Sequence, residues 1–423
     1  MNNLIIESEN QLILNKNYKF DPSSDKDFDG FTIAKDNYIV DGQGHTVDGS
    51  GQVRIFTFTG SNVTLKNINI INANGSKGSA ANFASLAMVD NCTFINNTAS
   101  GSGGAIYINN AVENSKINST FINNTANNGG AIYFNNETIN TSINGYYEGN
   151  AAERGGGAIY IKGKSTNNNF TAEFYNNVAK AASGGGIFFY SFAENNRFEG
   201  VFRYNNASYG AGIFFYFKSN NNKFNSDFRF NIAKSCGGAM FFYNTTDNNS
   251  FTGYFINNSA LGQIDTENGN GGAITFKDTS TNCVFTSYFV NNTARLYGGG
   301  VNYRQTPSNI TFNSNFINNA AEYGGGVNFF ETFEKIVVSS PTSVIVDRSK
   351  SKHEDIRNFN KRFSSSLNNS EGHLINITHA NSIKEKGLQI VDLIAWSIFQ
   401  SLEHGDSKFI DLIKNKDIDE VFK

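Results

Sequence analysis

Proline is nearly missing from this sequence, with three residues in 423. A chain so poor in residues that lack a backbone N–H can run as paired central strands through its interior. Cysteine is as scarce: Cys92, Cys236 and Cys283 are an odd number in unlike contexts, with no C-x-x-C. They support neither a disulfide framework nor a zinc site, and no metal site is expected. The formal net charge is only −3, which removes a general electrostatic case for nucleic acid. No stretch approaches the roughly 18 consecutive apolar residues of a membrane span. Residues 1–20 hold no basic segment followed by an apolar run, so no signal peptide is expected.

What the chain has instead is asparagine, glycine and phenylalanine, arranged periodically. Two motifs alternate nine times between Phe94 and Gly326. The first is F-x-x-N or a close variant, starting at Phe94, Phe121, Tyr147, Phe174, Phe202, Phe228, Phe255, Phe289 and Phe316. The second is G-G-[AG]-[IV] or a close variant, with its third position at Ala105, Ala131, Ala158, Gly186, Gly212, Ala239, Ala273, Gly300 and Gly326. Copies are 26 to 28 residues apart, except for one interval of 34. A fixed period of this size, one supersecondary unit per copy, marks a solenoid.

Within a copy, Ile106 and Ile108 alternate with Tyr107 and Asn109, the period-2 pattern of a half-buried strand. Ile117 and Phe121 share a parity in the next segment, and Asn123-Asn124 turn the chain onward. Each copy is predicted to hold three short strands. Stacked in register, such units make an all-β, right-handed parallel β-helix of about 26–28 residues per coil. Glycine and asparagine suit its turns, and repeated asparagines can hydrogen-bond from coil to coil as ladders. "YIVDGQGHTVDG" and "NVTLKNINI" supply the first coils. The expected domains are a cap over 1–35, β-helix repeats over 36–332, and a C-terminal segment over 333–423, small and α/β or α-helical.

Registering the strand after each Gly-Gly gives two apolar columns, beginning Ile106 and Ile108, which face the core. The position between them must face outward. It reads Tyr107, Tyr133, Tyr160, Phe188, Phe214, Phe241, Thr275, Asn302 and Asn328, and the next outward position adds Tyr190, Tyr216 and Tyr243. An exposed aromatic stripe is therefore expected, densest at Phe188, Tyr190, Phe214, Tyr216, Phe241 and Tyr243. Such a patch marks a binding surface for sugar rings or a partner protein; the plainer alternative is rungs stacking on one another to stabilise the sheet. The 34-residue interval inserts about seven residues around 261–268, with Asp265 and Glu267, as a functional loop or a neutral insertion.

The alternating GGAI and FxxN copies resemble the repeats of polymorphic outer membrane proteins. "IVDGQGHTVDG" and "FTGSNVTLKNINIINANG" are similar to archaeal adhesin-like surface proteins. The resemblance covers about 1–330 and implies a secreted surface protein that mediates attachment, without a cofactor. Against this, the absence of a leader or anchor raises the alternative of a truncated product kept in the cytoplasm. Sequons at Asn62, Asn91, Asn96, Asn118 and Asn123 would permit glycosylation on an exported chain.

Composition changes near Phe333: charge is about twice as dense, glycine nearly disappears, and the only Trp lies here. Val344-Ile345-Val346-Asp347 reads as a buried strand ending in a carboxylate. Helices are predicted over 356–367, over 387–404 and from about Ser407, the second amphipathic through Leu388, Val391, Ile394, Ala395, Ile398, Phe399 and Leu402. "VIVDRSKSKH", "INITHANS" and "KGLQIVDLIAWSIFQSLEHGD" resemble part of an uncharacterised RNase H-like nuclease-type family. That resemblance implies Asp347 and Asp392 as carboxylates for a divalent metal such as Mg²⁺, with Ser382 and Gln389 also matching. The family's first strand, with its Asp-Glu pair, has no counterpart before Asp347, so the segment reads as a remnant.

The leading expectation is a non-enzymatic, adhesin-like β-helix presenting a lateral face to a glycan or surface protein. Apart from Arg203 and Arg229, each following a motif Phe, the repeats place no Asp, Glu, His or Arg at equivalent positions of adjacent coils, as a polysaccharide lyase or hydrolase would need. A metal-dependent nuclease in the tail, or a non-exported fusion product, are the alternatives.

Overall fold

The computed structural model describes residues 5–262, 269–305 and 307–329, and beyond them the backbone of four strands, Ile336–Val337, Thr342–Asp347, Leu374–Ala380 and Asp417–Glu420. The chain divides into two compact units, Met1–Asp227 and Phe228–Lys423. Each contains a right-handed parallel β-solenoid.

One coil of the first unit shows the fullest pattern, which other coils repeat in part. Ile106–Ile108 forms the first face, Val112–Glu113 a two-residue second face, Lys116–Ile122 the long third face and Thr125–Asn128 the fourth. Each pairs in parallel with its equivalent in the next coil: Ile106↔Ile132, Val112↔Thr138, Lys116↔Ser142 and Thr125↔Ala151. A coil therefore has four strands where three are predicted; two residues are too few for an alternation to register. Among the described residues, first-face strands number eight in the first unit, from Phe31–Ile33 to Ile213–Phe215, and four in the second, from Met240–Phe242 to Val327–Phe329.

The Gly-Gly motif combines two different needs. Its first glycine sits in the left-handed region, with φ of 68° at Gly103. Its second allows two coils to touch: a Cβ on Gly104 would lie 2.0 Å from the Gly130 carbonyl oxygen. Inside, the Phe column stacks ring on ring. Centroids are 4.8 Å apart from Phe94 to Phe121 and from Phe121 to Tyr147, and 4.9 Å from Tyr147 to Phe174. Phe228, Phe255, Phe289 and Phe316 repeat the stack in the second unit at 4.7–5.0 Å.

Two asparagine registers close the turns. In F-x-x-N the third residue takes a left-handed conformation (Asn96, Asn123, Asn176) and the fourth turns its amide inward. Asn97, Asn124, Asn150, Asn177 and Asn205 are buried and linked, each of the first four amides donating to the next coil's asparagine. Asn168, Asn196 and Asn222 form a second ladder at the turn into the long face, with the left-handed Asn167, Asn195 and Asn221 before them. The expected ladders are present, and they are internal.

Two expected boundaries move. Gln11–Leu14, Tyr18–Lys19 and Phe31–Ile33 already pair in parallel with Ile39–Asp41, Thr46–Asp48 and Phe56–Phe58. The first coil thus starts at Gln11, inside the predicted cap, and capping falls to Ile5–Glu7, antiparallel to Gln11–Leu14. The polar loop between these strands hides their alternation. At the other end, Ile336–Val337 pairs with the Ile310–Phe312 strand, beyond the expected limit of 332. The tail then forms a parallel sheet in which Thr342–Asp347 pairs Leu374–Ala380, which pairs Asp417–Glu420. The strand predicted at 344–347 is thus present; the helices predicted at 356–367, 387–404 and from Ser407 lie outside the described residues.

Candidate binding faces

The column between the two core columns of the first face is stacked as parity requires. Tyr107–Tyr133, Tyr133–Tyr160, Tyr160–Phe188 and Phe188–Phe214 follow at 4.6–5.3 Å between centroids. It is not exposed, which corrects the stripe expected at Phe188, Phe214 and Phe241: these rings retain 8%, 3% and 1% of their accessible surface. Strand parity says only that a ring lies outside its own coil's core. The segment before the Gly156-Gly157 pair folds back against the column, so that a Cβ on Gly155 would sit 3.1 Å from the Phe188 ring and 3.4 Å from Tyr160. Lys77 Nζ lies 5.1 Å from the centroid of Tyr107.

The second outward position does reach solvent. Tyr190 and Tyr216 are exposed and stacked on one another at 5.2 Å with 7° between their planes. Two stacked rings spend a face on each other, which leaves mostly edges for a ligand. Tyr243, in the second unit, is half-buried with Lys277 Nζ 3.5 Å from its ring centroid.

A different aromatic group lies on the outer side of the long face, in the first unit, where side chains alternate with the buried phenylalanines. Across neighbouring coils Tyr146 pairs with Glu173 and Glu148 with Tyr175, so rings and carboxylates alternate in both directions. Tyr175 pairs in turn with Arg203, whose guanidinium is 3.5 Å from Asp227. The Tyr146 hydroxyl is held above its ordinary pKa by burial first and then by its hydrogen bond to Glu148. Tyr175 meets Tyr204 edge-on at 5.3 Å.

Like Phe230 of the second unit, which stands at the same motif position with φ of 55°, Tyr204 is an anomaly. It occupies the left-handed register filled by Asn96, Asn123, Gly149 and Asn176 in the preceding coils, with φ of 57°. A bulky side chain there costs about 1–2 kcal/mol, and the ring is 45% exposed, so core packing does not repay it. Sequence reasoning missed this group. The signal was available in "YYEGN", "EFYNN" and "FRYNN", where the residues flanking the buried aromatic are themselves aromatic or charged.

The remaining candidates are quickly placed. Burial pushes the thiols of Cys92 and Cys283 up to about 12 and about 11, and all three cysteines are free and buried. Cys283 stands in the second asparagine register, where the Ser280 hydroxyl lies 3.6 Å from its sulfur. No group of three or more His, Cys, Asp or Glu among the described residues is placed to hold a metal ion. Asp347 ends its strand; Asp392, Ser382 and Gln389, with Asp265 and Glu267 of the insertion, lie outside the described residues. Among the described residues no helix is long and apolar enough to cross a membrane.

Two stretches, residues 91–109 and 118–135, match the family model of the Chlamydia polymorphic membrane protein repeat. Comparison with curated proteins finds no match, and neither does comparison with solved structures. The matched stretches hold the F-x-x-N and Gly-Gly strands of two successive coils in the first unit. This chain therefore carries polymorphic-membrane-protein-type repeats, folded as a right-handed parallel β-solenoid.

Proposed function

We propose that this is an adhesin-like protein of the cell surface, a non-enzymatic β-solenoid that offers the lateral faces of its coils to a glycan or a surface protein. The observation that carries the reading is the repeat match at 91–109 and 118–135, to a model named for membrane proteins, in a solenoid with exposed aromatic side chains on its flat faces. Lateral faces suit attachment because each coil adds one more row of contacts, and weak contacts repeated on one scaffold gain by avidity. The chain needs no cofactor for this.

The test is surface display and attachment. Protease added to intact cells making the protein should remove the repeats, and the labelled full chain should bind target cells saturably. Cleavage seen only after lysis, or no saturable binding, would sink the proposal.

A further inference from the structure

Within that reading, we propose that the outer side of the long face at Tyr146, Glu148, Glu173, Tyr175 and Tyr204 is a platform for a glycan built from amino sugars with free ammonium groups. This assignment rests on the surface-attachment role above and names the chemistry of its partner.

Three observations converge. The first is arrangement. Tyr146 beside Glu173 and Glu148 beside Tyr175 make a two-by-two grid on parallel strands, with rows about 4.8 Å apart and columns about 6.6 Å apart. That is the scale of one pyranose ring. Rings present apolar surface to the C–H face of a sugar, and carboxylates accept from its hydroxyl and ammonium groups. The second is charge. Arg203 is engaged by Asp227, and no cation pairs with Glu148 or Glu173 among the described residues. The face is therefore anionic: it favours a cationic sugar, which gains from both carboxylates and from ring faces, and it repels uronic or sulfated chains. The third is Tyr204, which brings an exposed ring to the edge of the grid, against Tyr175, from a register that asparagine or glycine fills in the four preceding coils and an aromatic fills again at Phe230 of the second unit. A side chain kept against its backbone preference and left in solvent is a functional candidate.

The experiment uses the full chain and oligomers of β-1,4-linked glucosamine, with the fully N-acetylated oligomer and polygalacturonate as comparisons, in calorimetric titration. The glucosamine oligomer should bind, more weakly at higher salt, while the acetylated oligomer should bind less and polygalacturonate not at all. Tyr204→Asn restores the usual residue of that register, so it should raise Tm while weakening binding about three- to tenfold. Glu148→Gln with Glu173→Gln should abolish the preference for the free amine. A higher Tm with unchanged binding, or equal affinity for amine and acetylated oligomers, overturns the proposal. Attachment to cells with no affinity for the glucosamine oligomer also overturns it, while leaving the adhesin-like role standing. Loss of both removes the two together.

Discussion

The side-chain oxygen of Asn150 accepts two hydrogen bonds from Asn124 of the preceding coil, from its backbone N–H at 3.0 Å and its amide nitrogen at 2.9 Å. The Asn150 amide in turn donates to the Phe121 carbonyl at 2.9 Å and to Asn177 at 3.0 Å. All three asparagines are fully buried. Asn150→Ala would orphan donors and acceptors in two coils at once. At about 1–3 kcal/mol for each buried group left unsatisfied, a loss of about 2–5 kcal/mol is expected in urea unfolding. A loss below about 1 kcal/mol would mean the ladder is dispensable.

Tyr147 shows the opposite case. Its ring stacks between Phe121 and Phe174, but its hydroxyl is buried with no hydrogen-bond partner among the described residues. Tyr147→Phe keeps the stack and removes an unsatisfied polar atom, so stability should hold or rise by about 1 kcal/mol. A fall in Tm would show that the hydroxyl is bonded after all.

Gly104 is fixed by close approach. A Cβ there would meet the Gly130 oxygen at 2.0 Å and the Thr125 oxygen at 2.6 Å, both backbone atoms that cannot move aside without opening the coil. Gly104→Ala should cost about 3 kcal/mol or more, read as a lower urea midpoint. Gly44→Ala, where nothing lies within 4 Å, is the control; it keeps a strained φ of 81° and should cost about 1 kcal/mol.

Asp90 supplies a pH dependence. Its carboxyl lies below the usual aspartate range, through the hydrogen bond from Asn118 at 2.8 Å first, which outweighs the opposing effect of burial, with Lys116 at 3.1 Å adding to the lowering. A pKa lowered by folding stabilises the protein above the unfolded value, near 3.9. That stability is lost as pH falls through the folded value. Asp90→Asn should therefore lower Tm at pH 7, and the gap from wild type should narrow as pH falls below the ordinary aspartate value, about 4. A gap unchanged at pH 2 would show that the carboxylate's charge is irrelevant.

The parts of the fold legible from sequence are those that repeat. Phe94, Phe121 and Tyr147 recur at one register because each must fill the same space in its coil, and that spacing survives without coordinates. The asparagine ladders were legible for the same reason. The two-residue strand Val112–Glu113 was not, since alternation needs more positions to show. The first coil from Gln11 was hidden by an irregular, polar connection.

The candidate face was legible only in part. By itself the sequence determined the period, the inward columns and the turn glycines, because steric and hydrophobic demands act locally and alike in every coil. Tertiary structure decided exposure. Phe188 and Phe214 point away from their own core and are still buried; over Phe188 this is because the segment preceding a Gly-Gly packs against the ring at Gly155. It also decided that Tyr146, Glu148, Glu173 and Tyr175, about 27 residues apart in pairs, meet as one grid, and that Tyr204 adopts a left-handed backbone. Parity ranks faces within a strand, whereas covering and neighbourhood depend on what distant residues bring to that face.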